Sequence, residues 1–223
     1  LPELLLPLPQ VRRYYPDSVV AVFPTDHYIL EEDRFMRHVD LAMEAVEQNP
    51  ERLVLLGVEP SEAETEYGYI LPDKNLNELG TRGVGNVRRF VEKPDAACAA
   101  DLIKDGALWN TMVLVFHTAE LLAVVERTLP DVLSWFMPID AALGTPDEQS
   151  AIQEAYSRIM PLNLCRDLLE SLGPASGCSL SVLPVRGVTW SDWGSEHRLP
   201  AALTLPAAAW HEGERHEKGK QAE

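Results

Sequence analysis

Apolar residues along the chain follow two patterns that alternate from one end to the other. Short continuous runs rich in β-branched and aromatic residues predict buried strands, and runs with a helical repeat and charges opposite predict amphipathic helices. The predicted strands cover residues 18–23, 52–58, 67–71, 84–92, 108–116 and 180–185. This order of elements predicts an α/β fold.

The clearest predicted helix covers residues 31–48, where Phe35, Val39 and Val46 share one face. A second helix is predicted to begin after the capping residue Asp95 and to end at Gly106. Several more fill residues 119–172 around three prolines. Strands that alternate with helices predict a three-layer, Rossmann-like α/β domain with a mainly parallel sheet.

The chain shows no internal repeat and no linker, so residues 1–206 are predicted to form one domain. Residues 207–223 are mostly polar or charged and are predicted to be a disordered tail. Residues 1–8 are apolar but are broken by Pro2 and Pro7, and they lack the basic start of a signal peptide. We therefore expect the sequence to begin inside a longer one.

Composition narrows the range of partners. The formal charge of −16 over 223 residues argues against nucleic acid and anionic membranes, which favour basic surfaces. The three cysteines form no Cys-x-x-Cys pair, and no apolar run reaches the length of a membrane span. These features predict a cytoplasmic protein with reduced thiols, and they leave open whether it forms a homo-oligomer.

Five short blocks carry the candidate chemistry. They are Phe-Pro-Thr-Asp-His at 23–27, Glu-Thr-Glu-Tyr-Gly-Tyr at 64–69, Phe-Val-Glu-Lys-Pro at 90–94, Trp-Asn-Thr at 109–111 and Trp-Ser-Asp-Trp-Gly-Ser at 190–195. In this order and at these spacings they resemble the sugar-1-phosphate nucleotidyltransferases, most closely those that act as mannose-1-phosphate guanylyltransferases. The resemblance covers about residues 19–198. The family's Gly-rich nucleotide loop has no counterpart before Asp26, which predicts an N-terminal truncation of the domain.

Two aspartates match the metal-binding positions of this family. Asp26 follows a predicted strand, and Asp192 lies in a predicted loop between two tryptophans. Each alone is equally typical of a turn. The resemblance implies that the pair holds the catalytic Mg²⁺, and carboxylate oxygens suit this ion because they can hold it against the α-phosphate of a nucleoside triphosphate.

Four further residues match the family's sugar 1-phosphate site. The resemblance implies that Lys93 contacts the phosphate, with a catalytic role, and that Glu92 accepts hydrogen bonds from sugar hydroxyls. It implies that Asn110 contacts the sugar through its amide. It also implies that the backbone approaches the sugar at Gly68, where a side chain would obstruct it.

Three residues in or beyond these blocks depart from the family pattern. Glu66 and Met112 each stand where the family has glycine, and Cys165 stands where it has an acidic residue. These changes leave the identity of the sugar open, and the nucleotide base is open as well.

The resemblance implies transfer of GMP from GTP to mannose 1-phosphate, giving GDP-mannose and pyrophosphate. Two alternatives remain: a non-catalytic remnant that binds sugar phosphates, and a nucleotidyltransferase that uses another base or sugar. Because backbone donors of the Gly-rich loop would stabilise the triphosphate, we expect little transfer activity from this chain alone. A sheet edge left uncovered would also favour self-association.

Overall fold

The computed structural model describes residues 1–73, 83–172 and 179–193 and divides the chain into two compact units. Unit 1 contains residues 1–23 and 37–186, and unit 2 contains residues 24–36 and those from 187 onward. The tail predicted for residues 207–223 lies outside the described residues.

The described residues form the following helices: α1 (Pro2–Leu5), α2 (Leu8–Tyr14), α3 (Glu32–Gln48), α4 (Ala96–Lys104), α5 (Thr118–Thr128), α6 (Pro130–Ala142) and α7 (Glu148–Arg158). The strands are β1 (Val19–Val22), β2 (His27–Ile29), β3 (Arg52–Val58), β4 (Gly68–Pro72), β5 (Gly85–Glu92), β6 (Leu108–His117), β7 (Ser179–Val185) and β8 (Trp190–Asp192). A π-helix, Leu164–Leu168, runs directly into a 3₁₀ turn, Leu169–Ser171. Across the described part of the chain, no helix combines the length and apolarity that a membrane crossing requires.

Unit 1 contains a six-stranded sheet in the order β1-β6-β3-β7-β5-β4, and β4 also pairs with β6. The α/β class is confirmed, but the sheet differs from the mainly parallel one predicted, because only β3 and β7 run parallel among its pairs. Helix α4 joins β5 to β6, yet these strands are not neighbours. Strand β6 lies instead beside β1, β3 and β4, all antiparallel to it, and local sequence does not record which strands will pair.

Strand β6 carries a bulge at its centre. Its pairing with β3 passes from Leu55–Leu114 to Gly57–Asn110, so two steps along β3 match four along β6. The buried Thr111 hydroxyl donates to the Leu56 carbonyl at 2.7 Å and compensates for part of the interrupted ladder. Such bulges bend a strand and redirect its side chains.

The helices of unit 1 share one apolar core with the sheet. Helix α5 contributes Leu121 and Val125, and α6 contributes Phe136, all packed with sheet residues such as Leu114 and Phe116. The short helices α1 and α2, which the prolines had not led us to expect, bury Leu1, Leu5 and Leu8 in the same core. On α3 the predicted apolar face is confirmed, with its aromatic and valine residues almost fully buried.

Unit 2 is built on a two-stranded antiparallel pair, β2 with β8, in which His27 lies opposite Asp192. The Leu30 N–H donates to the Thr189 carbonyl at 3.1 Å, and the Glu31 carboxylate accepts the Thr189 N–H at 2.6 Å. Neither strand was predicted, because three residues are too few to show an alternating pattern. Asp192 therefore ends a strand, and its placement in a loop was wrong.

The cap of α4 gives a direct test of local stability. Asp95 accepts the Cys98 N–H at 2.8 Å, whereas Asp147 precedes α7 without a side-chain cap bond. We expect Asp95→Ala to lower the free energy of unfolding by about 1 kcal/mol, and Asp147→Ala to change it less. Urea unfolding of both variants measures this, and equal losses would contradict a capping role for Asp95.

Candidate functional site

Lys93 stands at a strained turn directly after β5. Its φ is 47°, in the left-handed region that residues other than glycine seldom adopt, and its N–H donates to the Tyr67 carbonyl at 3.2 Å. Backbone strain of this kind costs about 1–3 kcal/mol and is common at functional sites. The turn thus marks the predicted phosphate-binding lysine as a residue that the fold holds in a costly conformation.

The Lys93 ammonium already has an anionic partner within the chain. Its Nζ lies 3.2 Å from the Glu66 carboxylate, and the two side chains are 47% and 62% exposed. Exposed pairs of this kind contribute only about 0–1 kcal/mol. A phosphate group could therefore displace Glu66 from Lys93 at little cost.

Glu92, the last residue of β5, is half-buried. Burial is the largest effect on the pKa of the Glu92 carboxyl and raises it. A hydrogen bond from the Cys165 thiol and the charge of Lys93 lower this pKa, whereas the charge of Glu170 raises it further. The Glu92 N–H donates to the Glu170 carboxylate at 2.6 Å. Whether protonated or ionised, the Glu92 carboxyl keeps acceptor capacity for hydroxyl groups.

Gly68 lies opposite Glu92 in the β4–β5 pair. A Cβ atom on Gly68 would lie 2.8 Å from Glu92 Oε2 and 2.9 Å from Phe90 Cζ, closer than packed atoms approach. The glycine therefore makes room for the Glu92 side chain. Its predicted closeness to a sugar stays a prediction.

Asn110 precedes the bulge of β6 and is 4% exposed. Its Oδ1 accepts the Met112 N–H at 3.0 Å, and its Nδ2 donates to Met112 Sδ at 3.1 Å and to Cys165 Sγ at 3.6 Å. Both ends of the amide are thus engaged within the protein. Sequence reasoning gave the position of Asn110 but not these partners.

Cys165 connects Asn110 to Glu92. The Asn163 side chain accepts the N–H groups of Cys165 and Arg166 at 2.8 and 3.0 Å, which fixes the start of the π-helix and the place of the thiol. Burial raises the pKa of Cys165, and the Glu92 carboxylate raises it further, so the thiol stays protonated at neutral pH. Its place beside the predicted site residues was visible in the sequence only as a departure from the family pattern.

We call these residues the β5-end cluster: Gly68, Glu92, Lys93, Asn110, Met112 and Cys165. Contacts link its members in series, from Gly68 through Glu92 and Cys165 to Asn110. The four sequence-predicted residues are therefore brought together. Asp192, the predicted metal ligand, belongs to unit 2.

In unit 2, Asp26 and Asp192 lie on either side of His27. The Trp193 N–H donates to the Asp26 carbonyl at 2.7 Å, one position beyond the His27–Asp192 pair. Burial lowers the pKa of His27, and the charges of both aspartates act to raise it. Both carboxylates therefore lie near enough to this imidazole to affect its pKa. That they share one metal ion stays a prediction.

The donor set of this pair is small but suits magnesium. Among residues 1–73, 83–172 and 179–193, no group of three or more His, Cys, Asp or Glu side chains is placed to hold a metal ion. Magnesium commonly takes one or two protein carboxylates and completes its shell with water and substrate phosphates. Two aspartates are consistent with that mode of binding.

Aromatic rings support the β2–β8 pair beside the aspartates. Trp190 meets the His27 ring edge-on at 5.3 Å, and Tyr28 stacks on Trp193 at 6.2 Å. Trp109 packs edge-on against Tyr67 at 4.9 Å in unit 1. All three tryptophans are therefore engaged in ring packing.

Comparison with known proteins gives a family and a fold. The family model described as nucleotidyl transferase matches residues 8–202. A mannose-1-phosphate guanylyltransferase of Sinorhizobium fredii is 32% identical over 192 residues, 82% of this chain and 34% of the relative. An alginate biosynthesis protein of Pseudomonas fluorescens is 36% identical over 118 residues, 52% of this chain and 23% of the relative. The chain thus spans about a third or less of these curated relatives.

Two solved structures resemble the chain in fold. A protein described as mannose-1-phosphate geranyltransferase from Thermus thermophilus matches with a TM-score of 0.75 and 24% identity, over 91% of this chain and 54% of the other. A mannose-6-phosphate isomerase from Helicobacter pylori matches with a TM-score of 0.59 and 19% identity, over 83% and 68%. At these identities the likeness concerns the fold alone.

The raised pKa of Glu92 predicts a pH-dependent effect on stability. Because folding favours the protonated carboxyl, the stabilising contribution is full at low pH and is lost as pH rises through the folded-state pKa. We expect Glu92→Gln to raise Tm by about 2 °C at neutral pH and to have no effect near pH 4. Thermal melts across this range measure it, with Glu44→Gln on α3 as an exposed control. A gain that persists at low pH would contradict burial of the ionised carboxylate as its cause.

Proposed function

We propose, because this chain belongs to the nucleotidyl transferase family, that the protein transfers a nucleotidyl group from a nucleoside triphosphate to a sugar 1-phosphate. In this reaction a phosphate oxygen of the sugar 1-phosphate forms a bond to the α-phosphorus. The bond from that phosphorus to the β-phosphate oxygen breaks, and pyrophosphate leaves. The name of the Sinorhizobium relative supports GTP and mannose 1-phosphate as the first substrates to test.

The observation that carries the proposal is the adjacency of Glu92 and Lys93 at the end of β5. A half-buried carboxyl beside an exposed ammonium offers an acceptor for sugar hydroxyls and a cation for phosphate. Glu92 is the last residue of β5, and Lys93 follows it in a left-handed turn. In our proposal Lys93 holds the phosphate and Glu92 orients the sugar ring.

Asp26 and Asp192 would hold Mg²⁺ in this proposal. When bound, the ion would neutralise charge on the triphosphate and so reduce its repulsion toward the incoming sugar phosphate. The chain's own contribution is the β2–β8 pairing, which sets the two aspartates beside His27. The lowered pKa of His27 favours the neutral imidazole, which would not compete with the cation for the carboxylates.

A second candidate is a non-catalytic module that binds sugar phosphates. Two contacts in and beside the β5-end cluster favour it. The Lys93 ammonium is paired with the Glu66 carboxylate, and the Asn110 amide donates to the Met112 thioether. The two candidates share the phosphate contact at Lys93 and differ in whether pyrophosphate is released. Pyrophosphate release by this protein with GTP, mannose 1-phosphate and Mg²⁺ supports the first candidate, and binding of mannose 1-phosphate without any release supports the second.

The phosphate contact predicts a selective effect of Lys93→Ala. The loss of a hydrogen bond to a charged group, worth about 1.5–3 kcal/mol, should weaken sugar 1-phosphate binding by roughly 10–100-fold. Lys104→Ala removes an exposed lysine of α4 that pairs with Asp101 and should leave affinity unchanged. Calorimetric titration with mannose 1-phosphate measures both. Equal affinity of a folded Lys93→Ala variant and the parent would exclude the proposed role.

The metal proposal predicts that Asp192→Asn weakens divalent-ion binding by about tenfold or more, because a unit charge in contact with the ion is removed. Electron paramagnetic resonance of Mn²⁺, titrated with protein, reports the free ion. Asp131→Asn changes an exposed carboxylate at the start of α6 and serves as the control. If both variants bind Mn²⁺ like the parent, the pair is not a metal site.

A further inference from the structure

Met112 is the second residue in unit 1 whose backbone is strained. Its φ is 59°, a conformation that glycine adopts freely and that a long side chain adopts at a cost. The bulge of β6 imposes it, since Met112 follows Thr111, whose hydroxyl is tied to Leu56. The strained backbone places the Met112 thioether on the amide of Asn110, 3.1 Å from Nδ2.

Sulfur atoms surround the amide on that side. Cys165 Sγ lies 3.1 Å from Met112 Sδ and 3.6 Å from Asn110 Nδ2. The thiol is buried and protonated, and the thioether has no hydrogen to donate. Both are weak hydrogen-bond partners that behave mainly as apolar, polarisable groups.

A surface formed by such apolar sulfur groups disfavours contact with hydroxyl groups. Met112 is partly exposed, whereas Asn110 and Cys165, which it contacts, are 4% and 2% exposed. A sugar hydroxyl pressed against the Met112 thioether would lose its water and gain only a weak sulfur contact, and the Asn110 amide is engaged unless Met112 moves. A carbon without a hydroxyl is smaller and loses no hydrogen bond on entering. Pockets that differ by such groups commonly discriminate by about 10–200-fold.

We propose that Met112, held in place by its contact with the buried Cys165 thiol, sets the sugar preference of this site, and that the site takes a deoxyhexose 1-phosphate, with the deoxy carbon against the Met112 thioether. This rests on the proposed function, because it assumes that Lys93 holds the phosphate of a sugar 1-phosphate. Glu92, whose carboxyl group is hydrogen-bonded to the Cys165 thiol, accepts a remaining hydroxyl. Met112 is then a specificity-determining residue that covers Asn110.

The test is calorimetric titration of this chain with mannose 1-phosphate and with its 2-, 3-, 4- and 6-deoxy analogues. We expect at least one analogue to bind about tenfold tighter than mannose 1-phosphate. In the same samples, labelled with ¹³C at the methionine methyl groups, the Met112 signal should shift on addition of that analogue. The chain has five methionines, and loss of one signal in Met112→Gly identifies it.

Two variants remove the Met112 thioether. Met112→Gly suits the positive φ, frees the Asn110 amide and should move the preference toward mannose 1-phosphate by about tenfold. Met112→Asn also tolerates this conformation, adds hydrogen-bonding groups and gives the same test if the glycine variant is unstable. Met160→Gly, which changes an exposed methionine, should leave the preference unchanged.

The outcomes separate the two proposals. If mannose 1-phosphate binds the parent chain as tightly as every deoxy analogue, or if the Met112 variants keep the parent's preference, this inference is overturned and the proposed function stands. If only the Met112 variants bind mannose 1-phosphate, the inference is supported. If no sugar 1-phosphate binds any of these proteins, both proposals are overturned.

Discussion

The hydrogen bond from the Thr111 hydroxyl to the Leu56 carbonyl is the constraint on which the rest of unit 1 depends. It stabilises the bulge that lets one strand serve two sets of neighbours. On one side of the bulge β6 pairs with β1 and β3, and on the other side it pairs with β3 and β4. Since both atoms are buried, loss of the hydroxyl would leave the carbonyl without its partner.

The same bulge connects the fold to the chemistry. It forces Met112 into a left-handed conformation and so brings a thioether onto Asn110, while the π-helix delivers a thiol from the opposite direction. Strain at Met112 and at Lys93 is sustained by the packed sheet around them. The β5-end cluster is therefore held by the core, with Gly68 leaving room for the side chains of Glu92 and the buried Phe90.

Local pattern predicted much of this architecture, and its failures have physical causes. Strand β3 was predicted to the residue because its run is continuously apolar, and the cap at Asp95 was predicted because capping is local. Strand direction and the β2–β8 pair depend on partners distant in sequence. The site residues came from motif resemblance. The contacts of these site residues with Glu66, Met112 and Cys165 could not be predicted in this way, although the three positions were the ones that departed from the family pattern.

In our proposal Lys93, at its left-handed turn, receives the phosphate of a sugar 1-phosphate in place of Glu66. The decisive experiment is a crystal structure of this chain with mannose 1-phosphate, or with the deoxy analogue that binds best. We expect a phosphate oxygen at hydrogen-bonding distance from Lys93 Nζ, Glu66 turned away from it, and a sugar hydroxyl on Glu92. A ligand bound elsewhere while the Lys93–Glu66 pair stays intact would contradict it.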